Sequence, residues 1–468
     1  MKTVNKLRTV ALSAAGILSL SGLALGQDIS THATLDEITK KLDTDGDFLQ
    51  MNYLKNDIAK ILDYGDDTFK ALSLNEPDLD FLKRIDMKEL FEVLGMNNFI
   101  ATGRSEKKVS LLWNARQYTY TGGKFNGIGS LYGGVNEKFA ITEFAPESTD
   151  IAFQMRLDFR QINEVFKLIE KELPDSNEFK TFLTDPVEEL KGLTGYQFFD
   201  KMNMRALVAI DIDSEKKMTG AGMIFSTPDI VVKVENLAWL WNSLEDAIME
   251  NGADLFNRKA MNNVITLEMN EENRSPEGDY LPIFRTDGKS IWIASKKSFL
   301  DKTLADGKKL KDSADFKKTM ETLPKEGNWL FYVSKDAQTE FINTYRMVEP
   351  MMLAMMMEVN AYKPLIDKTI KDLTYADSGF AAVLDVDDSG ILFATRSPFT
   401  FKSYSENFAS ITPLVAMLSP IINRAQMRQA DLRELEEFEP EVPAEDAADA
   451  AEDAAEAVED SPEDGAAE

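Results

Sequence analysis

The chain of 468 residues contains no cysteine and a single histidine, His32. The first absence excludes disulfides and thiol nucleophiles. Together the two exclude zinc sites built on Cys or His, and copper sites of the two-His-one-Cys type. A Ser-His-Asp system would have to recruit His32 from a terminus expected to fray. Phosphate cradles are lacking too. The stretch "GGKFNGIGSLYGG" carries Gly127-x-Gly129, but Tyr132 stands where a dinucleotide fingerprint needs its third glycine, and no GxxxxGK[ST] run occurs. It reads as a glycine-rich hairpin after the strand-like "YTYT". Basic residues are scarce, 52 against 80 acidic ones, for a net charge of −28. Residues 434–468 supply 16 of the acids and no base, and residues 1–26 carry +3, which leaves about −15 on the body. Such a surface repels nucleic acid and anionic headgroups, so no nucleic-acid partner is expected. No cofactor is implied.

The two ends are legible. Lys2, Lys6 and Arg8 precede an apolar or small run over 10–25, and Ala24-Leu25-Gly26 fits the small-x-small cleavage rule. Residues 1–26 therefore read as a signal peptide. The run is short of the roughly 20 residues that a spanning helix needs, so no transmembrane span is expected in the mature chain. The predicted location is the periplasm or the extracellular space. The tail, "AEDAADAAEDAAEAVED" with its flanks, has Phe438 as its only aromatic residue. It cannot bury enough apolar surface to offset its ordering entropy, so 434–468 is expected to be disordered.

Between the ends, three segments look alike: "DFLQMNYLKNDIAKIL" from Asp47, "DIAFQMRLDFRQINEVF" from Asp150 and "NWLFYVSKDAQTEFINTY" from Asn328. Each opens on an apolar strand-like run and passes into a helical period. In the second, Ile162, Val165, Phe166 and Ile169 make an i, i+3, i+4, i+7 stripe. Each is followed by a hairpin signal. The four letters "SEKK" are read as the turn of the second hairpin, and they recur in the first. "DSG" is read as the turn of the third. Asp47 to Asp150 is 103 residues and Ser105 to Ser214 is 109, while Asp150 to Asn328 is 178 and Asp213 to Asp387 is 174. Nearly constant spacing predicts duplication. The expected units are 27–145, 146–325, and 326–433 including C-terminal helices. The predicted fold class is α+β, with antiparallel sheets and amphipathic helices in about three related units.

The run "TDGKSIWIAS…SFLDKTL…DFKKTMETLP…NWLFYV" resembles a group of secreted bacterial proteins built from repeated strand-helix-hairpin units, a domain of unknown function. The resemblance covers 36–423. It implies export and an α+β architecture, and it brings no catalytic residues to transfer.

Two acidic patterns bear on chemistry. Asp43, Asp45 and Asp47 alternate as in a calcium-binding EF-hand loop, but Phe48 stands where that loop needs Gly and Leu54 where it needs Glu. A turn into the next strand is the plainer reading. Asp211/Asp213 and Asp385/Asp387 are each two apart on a strand, so both members share a face. Two readings compete: a hydrolytic pair acting on glycans or a cation-binding pair, and a solvated strand face near a hairpin tip.

Methionine is abundant in one place. Residues 347–359 read "MVEPMMLAMMMEV". Pro350 fits the first turn of a helix, and Met351, Met352, Met355, Met356 and Met357 would make it apolar nearly all round. Thioether binding of Cu(I), an adaptable apolar binding surface, and plain core compete as explanations. The uncharged segment 408–422 and the stripe of Trp239, Trp241, Leu244 and Ile248 share this character. Together they are expected to roof an apolar groove, with the five methionines, Trp239 and Trp241 as its residues. The expected function is non-enzymatic binding of an apolar ligand or a protein partner. A carboxylate-dependent hydrolase or a passive surface scaffold are the alternatives.

Overall fold

The structure, a computed structural model, describes residues 32–54, 83–123, 136–220, 223–270, 281–355 and 363–400, with positions 62, 65–67, 70, 81, 127, 131 and 272. For 213–227 and 351–355 the description is of the backbone. The strands are β1 (Phe48–Tyr53), β2 (Ala101–Val109), β3 (Leu112–Tyr120), β4 (Glu137–Lys138), β5 (Ile151–Asp158), β6 (Asn203–Gly220), β7 (Met223–Glu235), β8 (Phe256–Met261), β9 (Val264–Met269), β10 (Ile283–Thr286), β11 (Ser290–Ala294), β12 (Glu326–Gly327), β13 (Trp329–Val333), β14 (Phe380–Val386) and β15 (Gly390–Ser397). The helices are α1 (His32–Thr39), α2 (Met87–Val93), α3 (Ile141–Phe144), α4 (Ile162–Glu172), α5 (Glu178–Thr184), α6 (Gly195–Lys201), α7 (Trp241–Gly252), α8 (Lys297–Leu304), α9 (Ala314–Thr319), α10 (Lys335–Met355) and α11 (Lys363–Tyr375).

Thirteen strands join into one sheet, in the order β1-β2-β3-β15-β14-β13-β5-β6-β7-β11-β10-β9-β8, and β4 pairs with β12 apart from it. Every pairing is antiparallel, so the architecture is α+β. Three trios repeat one local order. β1 pairs with the first strand of the hairpin β2-β3, β5 with that of β6-β7, and β13 with that of β14-β15. The second and third trios meet at the centre, where Phe153 of β5 stands opposite Phe331 of β13. The expected boundaries at 146 and 326 thus fall within a single sheet. The described residues form one unit.

Successive strand residues point to opposite faces. One face carries Ala152, Leu207, Ala209, Val231, Leu330, Val383 and Ala394, all buried. They pack with Ile38 and Leu42, Ile141 and Phe144, Phe299 and Leu300, and Phe316 and Met320. Helices α1, α3, α8 and α9 therefore cover this face. Fully burying a side chain such as Leu330 contributes roughly 1.5–3 kcal/mol. Gln154, a buried polar residue on this face, accepts the Ile141 N–H at 3.0 Å and so satisfies the start of α3.

Several local expectations are corrected. "SEKK" is not a turn in either place. Ser105 to Lys108 lie within β2, and the chain turns after Val109, where Ser110 has φ +60°. Ser214 to Lys217 lie within β6, at a register shift between Asp213 and Lys217. Asp213 pairs with Thr227 and Lys217 with Ser226, so three residues, 214–216, are inserted on the β6 side before the ladder resumes, and the charged letters do not end the strand. Pro350 is not at a helix start but inside α10, which begins at Lys335. The hairpin expected over "GGKFNGIGSLYGG" and the helix expected after Leu54 lie almost wholly outside the described residues, as do the segment 408–422 and the tail 434–468.

Candidate functional site

An antiparallel sheet with one wet face alternates apolar and polar residues. The second face of this sheet does not. Over its central strands it carries Ile151, Phe153 and Met155 of β5, Val208 and Ile210 of β6, Trp329 and Phe331 of β13, Phe380, Ala382 and Leu384 of β14, and Phe393 of β15. All are half-buried. Five aromatic rings from four adjacent strands form the middle of this floor. Phe153 meets Trp329 edge-on with centroids 6.1 Å apart, Trp329 stacks with Phe393 at 5.7 Å, and Phe331 tilts against Phe380 at 5.9 Å. Such geometries are favourable for ring quadrupoles.

Further along the same face, α7 closes the sheet. Trp241, Leu244 and Ile248 pack with Ile265, Leu267, Phe284 and Ile291. Trp241 is 3% exposed, and its indole N–H donates to Glu245 Oε2 at 2.7 Å. This predicted site residue therefore belongs to a packed core. Trp239 has a different setting. It ends a chain of half-buried rings running Phe182–Phe179–Phe166–Phe199–Phe198–Trp239, with centroid separations of 6.3, 5.5, 4.9, 5.3 and 5.8 Å. The Lys201 ammonium lies 5.4 Å from the Trp239 ring centre. The chain spans α4, α5 and α6, at the strand ends where β5 stops, β6 starts and β7 stops.

At the opposite strand ends α10 departs from β13. Ser334 starts it, its Oγ accepting the Ala337 N–H at 2.9 Å. Ile342 of α10 packs with Ile370 and Leu373 of α11, while Phe341 and Met347 are 57% and 49% exposed. Met351, Met352 and Met355 fall in the last turns of α10; Met356 and Met357 lie outside the described residues.

The acidic candidates are committed to anchoring. Asp45 pairs with Lys107 at 2.6 Å, Asp43 with Arg116 at 3.5 Å, and Asp47 accepts the Lys108 N–H at 3.0 Å. The three carboxylates serve three separate partners instead of converging. Among the described residues no three His, Asp or Glu gather to hold a metal. Asp211 accepts from Ser148 at 2.6 Å and from Lys302 at 3.1 Å. Asp387 accepts from the Tyr118 hydroxyl at 3.0 Å and from the Ser389 and Gly390 N–H groups, and pairs with Lys41 at 2.5 Å. Burial pushes Asp387 up, but these donors outweigh it and hold the carboxyl below its ordinary range. Burial raises Asp385, whose partner is the Asn136 amide, and neighbouring Asp387 adds to the rise. Asp387 is an asparagine-like turn anchor with its acceptor sites filled, which leaves it poorly placed as a nucleophile or base.

The chain matches no family model, no curated protein and no solved structure. Function has to be argued from the molecule itself. Among the described residues no helix is long and apolar enough to cross a membrane. What the arrangement offers chemically is an aromatic surface of unusual extent on a half-covered sheet face.

Sequence reasoning missed Phe153, Trp329, Phe331, Phe380 and Phe393. A signal was present. "DIAFQM" and "NWLFYV" are apolar at both parities, which marks strands with two apolar faces instead of one.

Proposed function

We propose that this is an exported, non-enzymatic protein that holds an apolar small molecule of acyl-chain character against the aromatic face of its sheet. One observation carries the reading: apart from Thr395, the face opposite the core is apolar across the middle of β15, β14, β13, β5 and β6, and eleven of its residues from Ile151 to Phe393 stay half-buried. Large contiguous apolar patches on folded proteins mark binding surfaces. Ligand sites of this kind are lined by hydrophobic and aromatic side chains. The ring chain ending at Trp239 flanks the floor at one set of strand ends, and α10 leaves β13 at the other. The methionines Met351, Met352, Met355, Met356 and Met357 belong to the same proposal as ligand contacts, because a flexible thioether fits many shapes. The export signal, the three trios as copies of one unit, and kinship with the secreted strand-helix-hairpin group belong to the same proposal.

The test is a fluorescence titration of the mature protein with a polyene fatty acid. Saturable uptake is expected, and Trp329→Ala is expected to weaken it about tenfold, since it removes a stacked ring from the floor centre. A folded protein that takes up no probe would sink the reading.

A further inference from the structure

The thirteen-stranded sheet ends in two strands with different edges. At one end is β8, "FNRKAM", which carries Arg258 and Lys259. Charged residues on an edge discourage pairing with another chain. At the other end is β1, "FLQMNY", without a charge or a proline. Phe48 and Leu49 are 42% and 43% exposed. Among the described residues no strand pairs with the outer side of β1.

The direction of the free backbone groups is fixed. The Leu54 N–H donates to Ile100 O at 2.9 Å, in register with Asn52 opposite Thr102. In an antiparallel ladder alternate residues bond to the same neighbour. Phe48, Gln50 and Asn52 therefore address β2, and Leu49, Met51 and Tyr53 turn their N–H and C=O groups outward. We propose that β1 is a homodimer edge, at which β1 of a second copy of this chain pairs antiparallel about a two-fold axis through Met51.

Self-complementarity selects a second copy over any other strand. With Met51 opposite its own twin, Leu49 faces Tyr53 of the other copy on one face of the joined sheet. Gln50 faces Asn52 of the other copy on the opposite face. Apolar side chains meet apolar ones, amides meet amides, and no like charges oppose each other. The three outward-turned residues fall opposite outward-turned residues, as a directly bonded pair requires. A closed two-fold contact uses both free edges at once. The same operation on β8 would bring Arg258 and Lys259 close to their twins.

The full mature chain is tested by sedimentation velocity over a range of concentrations. A reversible dimer is expected. Leu49→Lys, at an exposed position that leaves folding intact, is expected to raise the dimer dissociation constant about tenfold or more, because the charge enters the contact twice. The chain has no cysteine, so Met51→Cys introduces a unique thiol. A short bismaleimide is expected to link Met51→Cys into a covalent dimer, and to leave Ala260→Cys on β8 monomeric. The proposal is overturned by a monomeric mass at every concentration, by equal linking at the two edges, or by a dimer that Leu49→Lys leaves unchanged. None of these outcomes depends on fatty-acid uptake, so the two proposals fail separately.

Discussion

A carboxylate in this chain takes its character from what surrounds it. Asp385 and Asp387 are two apart on one strand face, yet their environments push them in opposite directions. For Asp385 the folded state favours the proton. Its contribution to stability is therefore present below the unfolded aspartate pKa of about 3.9 and is lost as pH rises through the raised folded value. Asp385→Asn keeps an acceptor for Asn136 and removes the buried charge. Urea unfolding is expected to find it more stable than wild type at pH 7, with the gain gone near pH 3. Asp387 is the reverse case. Its contribution is present above about pH 4 and lost as pH falls through the depressed value. Asp387→Ala should cost about 1–3 kcal/mol at pH 7, leaving the Tyr118 hydroxyl and two turn N–H groups without their acceptor. That cost should shrink in acid. Trp241, expected on a ligand surface, is a core residue; Trp241→Ala should cost about 3–5 kcal/mol, measured by the same unfolding curves.

Helix and strand identities were largely legible, and their limits were not. The stripe over Ile162 to Ile169 does form α4, where Val165, Leu168 and Ile169 pack with Leu90 and Phe91. "TDGKSIWIAS" does turn at Asp287-Gly288, with Gly288 at φ +81°, a backbone state that an L residue adopts only with strain. "SEKK" misled because its letters are turn-like by local propensity. Ladder bonds to β1 and β3 override that propensity in the first copy; in the second, the β6-β7 ladder brackets the letters, pairing Asp213 before them and Lys217 at their end. Pro350 misled for a related reason: a proline in a long helix costs one hydrogen bond, which packing at Ile342 and the cap at Ser334 can outweigh. The Ser334 hydroxyl also donates to Asp150 at 2.5 Å, tying α10 to the start of β5. Ser334→Ala should cost about 1–2 kcal/mol, and hydrogen exchange should locate the loss in the first turn of α10.

At the scale of the whole molecule, the seam between β5 and β13 holds two large halves together. Leu330 sits on it, fully buried against the core. Leu330→Ala should cost about 2–5 kcal/mol, and protection from hydrogen exchange should fall on both sides of the seam, at β6-β7 and at β14-β15 alike. The sheet also decides the chemistry on offer. It puts the core on one face and leaves an aromatic field on the other, and among the described residues no strand pairs with the outer side of the uncharged strand β1.

The sequence by itself determined the excluded chemistries, since residue types that are missing cannot be supplied by folding. It determined the runs that become strands and helices, because period and composition are local properties. Only the tertiary structure decided that β3 lies against β15, that Phe153 meets Phe331, and that Trp241 is packed away while Trp329 is not. Those outcomes depend on which distant strand supplies each ladder's hydrogen bonds, and no local pattern carries that information.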